Sequence, residues 1–138
     1  MARILALDYG SKRTGIAVTD ELQLIASGLT TVPTSDLMEF LTDYLAEEKV
    51  EKLVVGEPKQ MDNSVSESEE MILGFIEKWT KTFPAVPVER QDERFTSKLA
   101  VASMVEQGIK KKRRREKDLV DEISAVLILQ AYLNRIKK

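Results

Sequence analysis

The residues of this chain best suited to do chemistry are carboxylates, and they fall where strands and helices should end. Asp8 follows the apolar run Ile4-Leu-Ala-Leu7, where a core strand would otherwise continue. An acid in that position is costly unless something positive pairs with it. Glu57 follows Lys52-Leu-Val-Val-Gly56, Asp92 and Glu93 follow Val86 to Gln91, and Asp118, Asp121 and Glu122 open the last helical stretch. The chain contains no Cys and no His. Ser-His-Asp and Cys-His nucleophiles, thiol redox chemistry and His- or Cys-ligated zinc and copper are therefore excluded. Carboxylates, lysine and oxygen-ligated hard metals such as Mg²⁺ and Mn²⁺ remain.

In a parallel α/β sheet, ligands collect at the carboxyl ends of the strands. Three strand ends of that kind would bring Asp8, Glu57 and Asp92 with Glu93 to one edge, and the last helix could lay Asp121 across it. Acids gathered in a partly buried cleft repel one another, and the cluster persists only if a cation neutralises it. A divalent metal pair does so with oxygen ligands alone, and it activates water against a phosphodiester. Each acid also has a structural reading. Glu57 before Pro58 fits an ordinary loop acid, Asp118 fits an N-cap with Asp121 as its capping-box partner, and Asp92-Glu93-Arg94 fits a surface ion pair before a helix. Asp8 has the weakest structural explanation.

Basic residues complete the chemical inventory. Net charge is only −2, yet Lys110, Lys111, Lys112, Arg113, Arg114 and Arg115 form an unbroken cationic run, with Lys117 just beyond. The run fits a solvated loop or a track for a phosphate backbone. Lys12 and Arg13 lie in the polar turn Ser11-Lys-Arg-Thr14, between Gly10 and Gly15. Asp8-x-Gly10 with Gly15 is similar to the phosphate-binding hairpin of sugar kinases, actin and heat-shock ATPases. Those proteins hold nucleotide between two such domains, and this chain has room for one.

The elements that must position these residues follow from periodicity. Ile4 to Leu7 and Gly15 to Thr19 read as a hairpin, and Ala26 to Val32, stopped by Pro33, reads as a third, antiparallel edge strand. Leu37, Phe40, Leu41, Tyr44 and Leu45 form a helical stripe capped by Ser35 or Asp36. A strand over Lys52 to Gly56 precedes a helix opened by the capping box Ser66 and Glu69, with Met71, Ile72, Phe75, Ile76 and Trp79 inward. Val86 to Gln91 is a fifth strand. A helix from about Thr96 to Glu106 stops near Gly108, and a last helix opens at Asp118 with Leu119, Val120, Ile123, Val126, Leu127 and Ala131 inside. This order predicts an α/β architecture with a mixed five-stranded sheet flanked by helices.

The length, 138 residues, suits one domain spanning 1–138, and an apolar fraction of 43% is that of a globular chain. No apolar run approaches the roughly 18 residues of a membrane span, and no secretory leader is evident, so no membrane partner and a cytoplasmic address are expected.

Together these residues resemble the YqgF family, also described as RuvX-like Holliday junction resolvases and as pre-16S rRNA nucleases, within the ribonuclease H-like superfamily. The landmarks are Leu5-Ala-Leu-Asp-Tyr-Gly-Ser-Lys-Arg-Thr-Gly-Ile-Ala-Val18, Val54-Val-Gly-Glu-Pro58 with Met61-Asp62, Asp92-Glu-Arg94 with Thr96-Ser97, and Val120-Asp-Glu-Ile-Ser-Ala125 leading to Ile128-Leu-Gln130. The resemblance implies a ribonuclease H-like fold and catalytic, metal-binding acids at Asp8, Glu93 and Asp121, with Asp92 adjacent, for Mg²⁺ or Mn²⁺; Glu57, an extra acid outside the family pattern, is a further candidate ligand by its place at a strand end. It implies a metal-dependent nuclease that processes the 5′ end of pre-16S rRNA, with Holliday junction cleavage and non-catalytic nucleic-acid binding as alternatives. Lys12, Arg13, Arg94 and the run Lys110 to Arg115 would contact structured RNA, or else branched DNA, on a ribosome or pre-ribosomal particle, as a monomer or homodimer. The chain departs from the family pattern at Glu57, where an apolar residue is usual in a Gly-Leu-Pro motif, and at Asn63-Ser64, which replaces a glycine-containing turn.

Overall fold

The computed structural model describes residues 2–57, 69–92 and 117–136, with the first two residues of the last segment described by backbone only. Five strands form one sheet in the order β3-β2-β1-β4-β5. They are β1 (Arg3–Asp8), β2 (Arg13–Thr19), β3 (Ala26–Pro33), β4 (Val50–Glu57) and β5 (Val88–Asp92). β1, β2 and β3 are antiparallel neighbours, whereas β4 pairs parallel with both β1 and β5. The sheet is mixed, as the alternation of the sequence predicts.

Helices cover both faces. Helix α1 (Leu37–Glu47) and helix α2 (Glu69–Thr82) enclose one core with Leu5, Leu7, Ile16, Leu53 and Val55 of the sheet. Trp79 is fully buried there and donates its indole N–H to the Val86 carbonyl at 3.0 Å. Helix α3 (Lys117–Ile136) covers the other face, packing on Ile4, Ala6, Ala17 and Val54. Each fully buried Leu or Ile contributes about 1.5–3 kcal/mol by leaving water, so both layers are strongly held to the sheet.

Several boundaries differ from those periodicity predicts. β2 begins at Arg13, because Arg13 and Thr14 pair with Pro33 and Val32 of a longer β3. Pro33 is the last residue of that edge strand, where a missing N–H costs no ladder bond. β4 runs through Glu57, and β5 begins at Val88 because Val86 donates its N–H to the Phe83 carbonyl in a turn. A 3₁₀ turn, Thr34–Asp36, leads into α1, and Asp36 makes no side-chain cap. On α2, Met71 faces out, 43% exposed, while Glu69 is buried.

The largest correction concerns α3. Its buried residues are Ala125, Ile128, Leu129, Tyr132 and Leu133 with Ser124, whereas Leu119, Val120, Ile123, Val126, Leu127 and Ala131 are only half-buried. Both stripes are apolar, so periodicity could not choose between them. The sheet takes the one that carries Ala125, Ile128, Leu129, Tyr132 and Leu133, packing it on Ile4, Ala6, Ala17 and Val54. The expected helix at 96–106 and the Ser66 half of the capping box lie outside the described residues.

Candidate active site

Side chains alternate between sheet faces along a strand. Leu5 and Leu7 belong to the α1/α2 core and Ile4 and Ala6 to the α3 core, so Asp8 falls on the α3 face. Its antiparallel partner is Gly15. A Cβ on Gly15 would lie 2.0 Å from the Asp121 carbonyl oxygen and 2.9 Å from the Glu122 backbone nitrogen. Only glycine permits that contact, and through it α3 rests directly on β2 beside Asp8. Two acids separated by more than a hundred residues in sequence thus share one face and one end of the sheet.

Arg13, two residues before Gly15 and on the same face, donates its Nε–H to Asp121 Oδ2 at 2.5 Å. The pair is partly solvated, with side-chain exposures of 34% and 22%. Gly10, Ser11, Lys12, Arg13 and Asp121 line an open depression of about 350 Å³. Its wall is braced by a residue the sequence did not single out. Thr34 donates its hydroxyl to the Gly10 carbonyl at 2.6 Å and its N–H to the Lys12 carbonyl at 3.0 Å, and it meets the Thr14 hydroxyl at 2.9 Å. Gly10 is itself tightly confined, since a Cβ there would lie 2.5 Å from the Arg13 carbonyl oxygen. Tyr9, on the opposite face, packs its ring against Phe75 in a tilted arrangement with centroids 5.2 Å apart, and burial pushes its phenol above the ordinary value. The strand end that carries Asp8 is therefore anchored from both sides.

Glu57 and Asp92 end β4 and β5 at the same end of the sheet and are register partners. Their face is the other one. Leu53 and Val55 point into the α1/α2 core, and Arg90 reaches Glu69 of α2, so two-residue alternation puts Glu57 and Asp92 on the α1/α2 side. Among the described residues no group of three or more acids is arranged to hold a metal ion. Sorting by face accounts for this, because Asp8 and Asp121 are separated by the sheet from Glu57 and Asp92. Glu93, Arg94 and Lys110 to Arg115 lie outside the described residues.

One further residue belongs to the α3 face at this end. Gln91 pairs with Gly56, in the row that continues across β1 to Asp8, and among the described residues its buried Oε1 has no hydrogen-bond partner. A buried acceptor lacking a donor is costly and calls for an explanation. The only sequence signal for Gln91 was its place one residue before Asp92. Carboxylates joined by a neutral amide oxygen form an all-oxygen donor set, which fits Mg²⁺ or Mn²⁺, ions that commonly take one or two carboxylates and complete their shell with water and substrate phosphate.

The family model RuvX, described as Holliday junction resolvase, matches residues 2–135. A protein of Christiangramia forsetii named "Putative pre-16S rRNA nuclease" is 64% identical over 133 residues, covering 96% of this chain and 98% of the relative. Proteins of the same name from Flavobacterium johnsoniae and Bacteroides thetaiotaomicron are 58% identical over 134 residues and 59% identical over 133. They cover 97% of both chains in the first case and 96% of both in the second. Among solved structures, T. thermophilus RuvC in complex with Holliday junction substrate aligns over 100% of this chain and 98% of its own, with a TM-score of 0.59 at 17% identity. That likeness concerns the fold. The family match and the highly identical relatives, on a mixed sheet shared with RuvC, mean that this chain belongs to the RuvX, or YqgF, family and has a ribonuclease H-like fold.

Proposed function

We propose that the protein is a metal-dependent nuclease that hydrolyses phosphodiester bonds in structured RNA, with the 5′ end of pre-16S rRNA as its substrate in the cytoplasm. The observation that carries this reading is the close approach of the Asp121 backbone to Gly15, the register partner of Asp8, on one face of the sheet and beside an open depression lined by Lys12, Arg13 and Asp121. The names of relatives more than half identical to this chain support the choice of substrate.

Asp8 and Asp121 would hold the ion, with Glu93 as the third carboxylate by resemblance and the Gln91 oxygen as a neutral donor. A bound Mg²⁺ or Mn²⁺ supplies an acidified water and positive charge at the scissile phosphate. The chain's own part is to fix these donors, through the β1 core behind Asp8 and the α3 backbone resting on Gly15. Lys12 and Arg13 receive flanking phosphates in the depression. Arg94 and the run Lys110 to Arg115 add sequence-independent, salt-sensitive affinity for the backbone. Aromatic residues are only 6% of the chain and do not interleave with the basic run, so recognition rests on shape or on a ribosomal partner rather than on base stacking.

The description of the matching family names a second activity, cleavage of Holliday junctions. Two symmetric cuts require a dimer with both sites on one surface. The deciding experiment incubates wild-type protein and Asp8→Asn with a pre-16S 5′ RNA fragment and with a four-way DNA junction, with and without Mg²⁺ or Mn²⁺. The expected result is metal-dependent cleavage of the RNA that Asp8→Asn loses while retaining binding. Cleavage of the junction alone, by a dimer, selects the second reading. Binding without cleavage of either substrate makes the protein a non-catalytic nucleic-acid binder.

A further inference from the structure

Asp121 already has a cation. The Arg13 guanidinium sits on Oδ2, one of the two carboxylate oxygens that Asp121 could offer a metal ion, at 2.5 Å. Among the described residues Asp121 is its one hydrogen-bonding partner, so a single Nε–H is committed and the two terminal nitrogens are left over. The pair borders the open depression with Lys12, and solvent reaches both partners. An ion pair of that exposure is weakly held and exchanges readily.

We propose that Arg13 is an internal counter-ion of the site: a divalent ion binds at Asp121 by displacing the guanidinium, which then takes a substrate phosphate in the depression. This rests on the metal-dependent reading above and adds a coupling to it. Before the ion arrives, Arg13 neutralises Asp121 and limits the repulsion between Asp121 and Asp8. Once displaced, it presents its two terminal nitrogens to a phosphate in the fork geometry that suits a bidentate contact. Metal and phosphodiester then favour each other's binding, because each removes the competitor of the other. Among the described residues, the other arginine at this end of the sheet, Arg90, has no such freedom. Arg90 gives N–H groups to the Val55 and Gly56 carbonyls and to both oxygens of Glu69.

Mn²⁺ binding, followed through the spectrum of the free ion by electron paramagnetic resonance, tests the coupling without any turnover. Arg13→Gln removes the competitor and should bind Mn²⁺ about fivefold more tightly, the upper range for a solvent-exposed ion pair. Arg13→Lys keeps a cation there and should stay close to wild type. Unchanged or weaker Mn²⁺ binding by Arg13→Gln overturns the counter-ion role, while wild-type binding that Asp8→Asn weakens leaves the metal site standing. No Mn²⁺ binding by wild type overturns both. A measurement on the wild-type protein guards against a variant that does not fold. Mg²⁺ should shift the Arg13 Nε–H resonance in nuclear magnetic resonance and speed its exchange with water. A resonance that stays in place while Mg²⁺ binds overturns the proposal.

Discussion

Among the described residues, two arginine–carboxylate pairs stand at the same end of the sheet, one on each face, and they differ in nearly everything except their chemistry. Arg90 and Glu69 have side-chain exposures of only 21% and 12% and meet at 2.7 Å, and Arg90 also satisfies two carbonyls of β4. Arg13 and Asp121 are more exposed, share one hydrogen bond and border open space. The first pair fastens α2 to the end of β4, and the second guards a place where something else can bind. The same two residue types thus serve packing on one face and chemistry on the other, according to how many alternative partners each donor has.

The comparison is most easily broken with carboxylate-to-amide changes at strand ends. Asp8→Asn on the α3 face should lower cleavage on the order of 1,000-fold, the scale for losing a pre-organised electrostatic group. Glu57→Gln on the opposite face should leave it within about threefold, a surface-substitution effect. Equal losses in single-turnover cleavage would mean that the sheet does not separate the two acids functionally.

Stability sharpens the contrast next. Glu69→Ala leaves the Arg90 charge in a partly buried site and should cost about 2–3 kcal/mol in urea unfolding, somewhat below the range for fully buried pairs. A loss no larger than that of a surface mutation would remove the fastening role. Two glycines make a third comparison. Gly15→Ala forces a Cβ into the Asp121 backbone and should cost on the order of 2 kcal/mol while displacing α3 and reducing cleavage. Gly74→Ala on α2 meets nothing within 4 Å and should stabilise by about 0.5–1 kcal/mol. Thermal melts of both variants check the opposite signs.

The smallest effect belongs to the loop between β2 and β3. Asp20 is held below its ordinary carboxylate value by accepting N–H bonds from Ile25, Leu24 and Leu22. A depressed pKa contributes stability above the unfolded value, near 3.8, and loses it as pH falls through the folded one. The gap between wild type and Asp20→Ala should therefore be constant at neutral pH and shrink in acid below that value. A gap independent of pH would mean that the carboxylate charge is not what holds the loop.

How much of this was legible beforehand depended on whether the signal was local. Asp8 stands out because one charge interrupts an apolar run, and the succession of strands and helices follows from short periodic segments. The face of α3 was misread because two apolar stripes run along the same helix, and only contact with Ala6 and Ala17 selects one. Thr34 carries no local signal, and Gln91 carries only its place beside Asp92. Their roles come from hydrogen bonds made, or left unmade, across the fold.

The sequence by itself determined the layer architecture, the exclusion of thiol and imidazole chemistry, and the candidate acids, because periodicity and residue type act over short spans. Tertiary structure alone decided which acids share a face. Strand alternation puts Glu57 and Asp92 opposite Asp8, and the missing side chain of Gly15 lets the α3 backbone carry Asp121 to Asp8 and into the grip of Arg13. Those are contacts between residues far apart in the chain, and no local pattern records them.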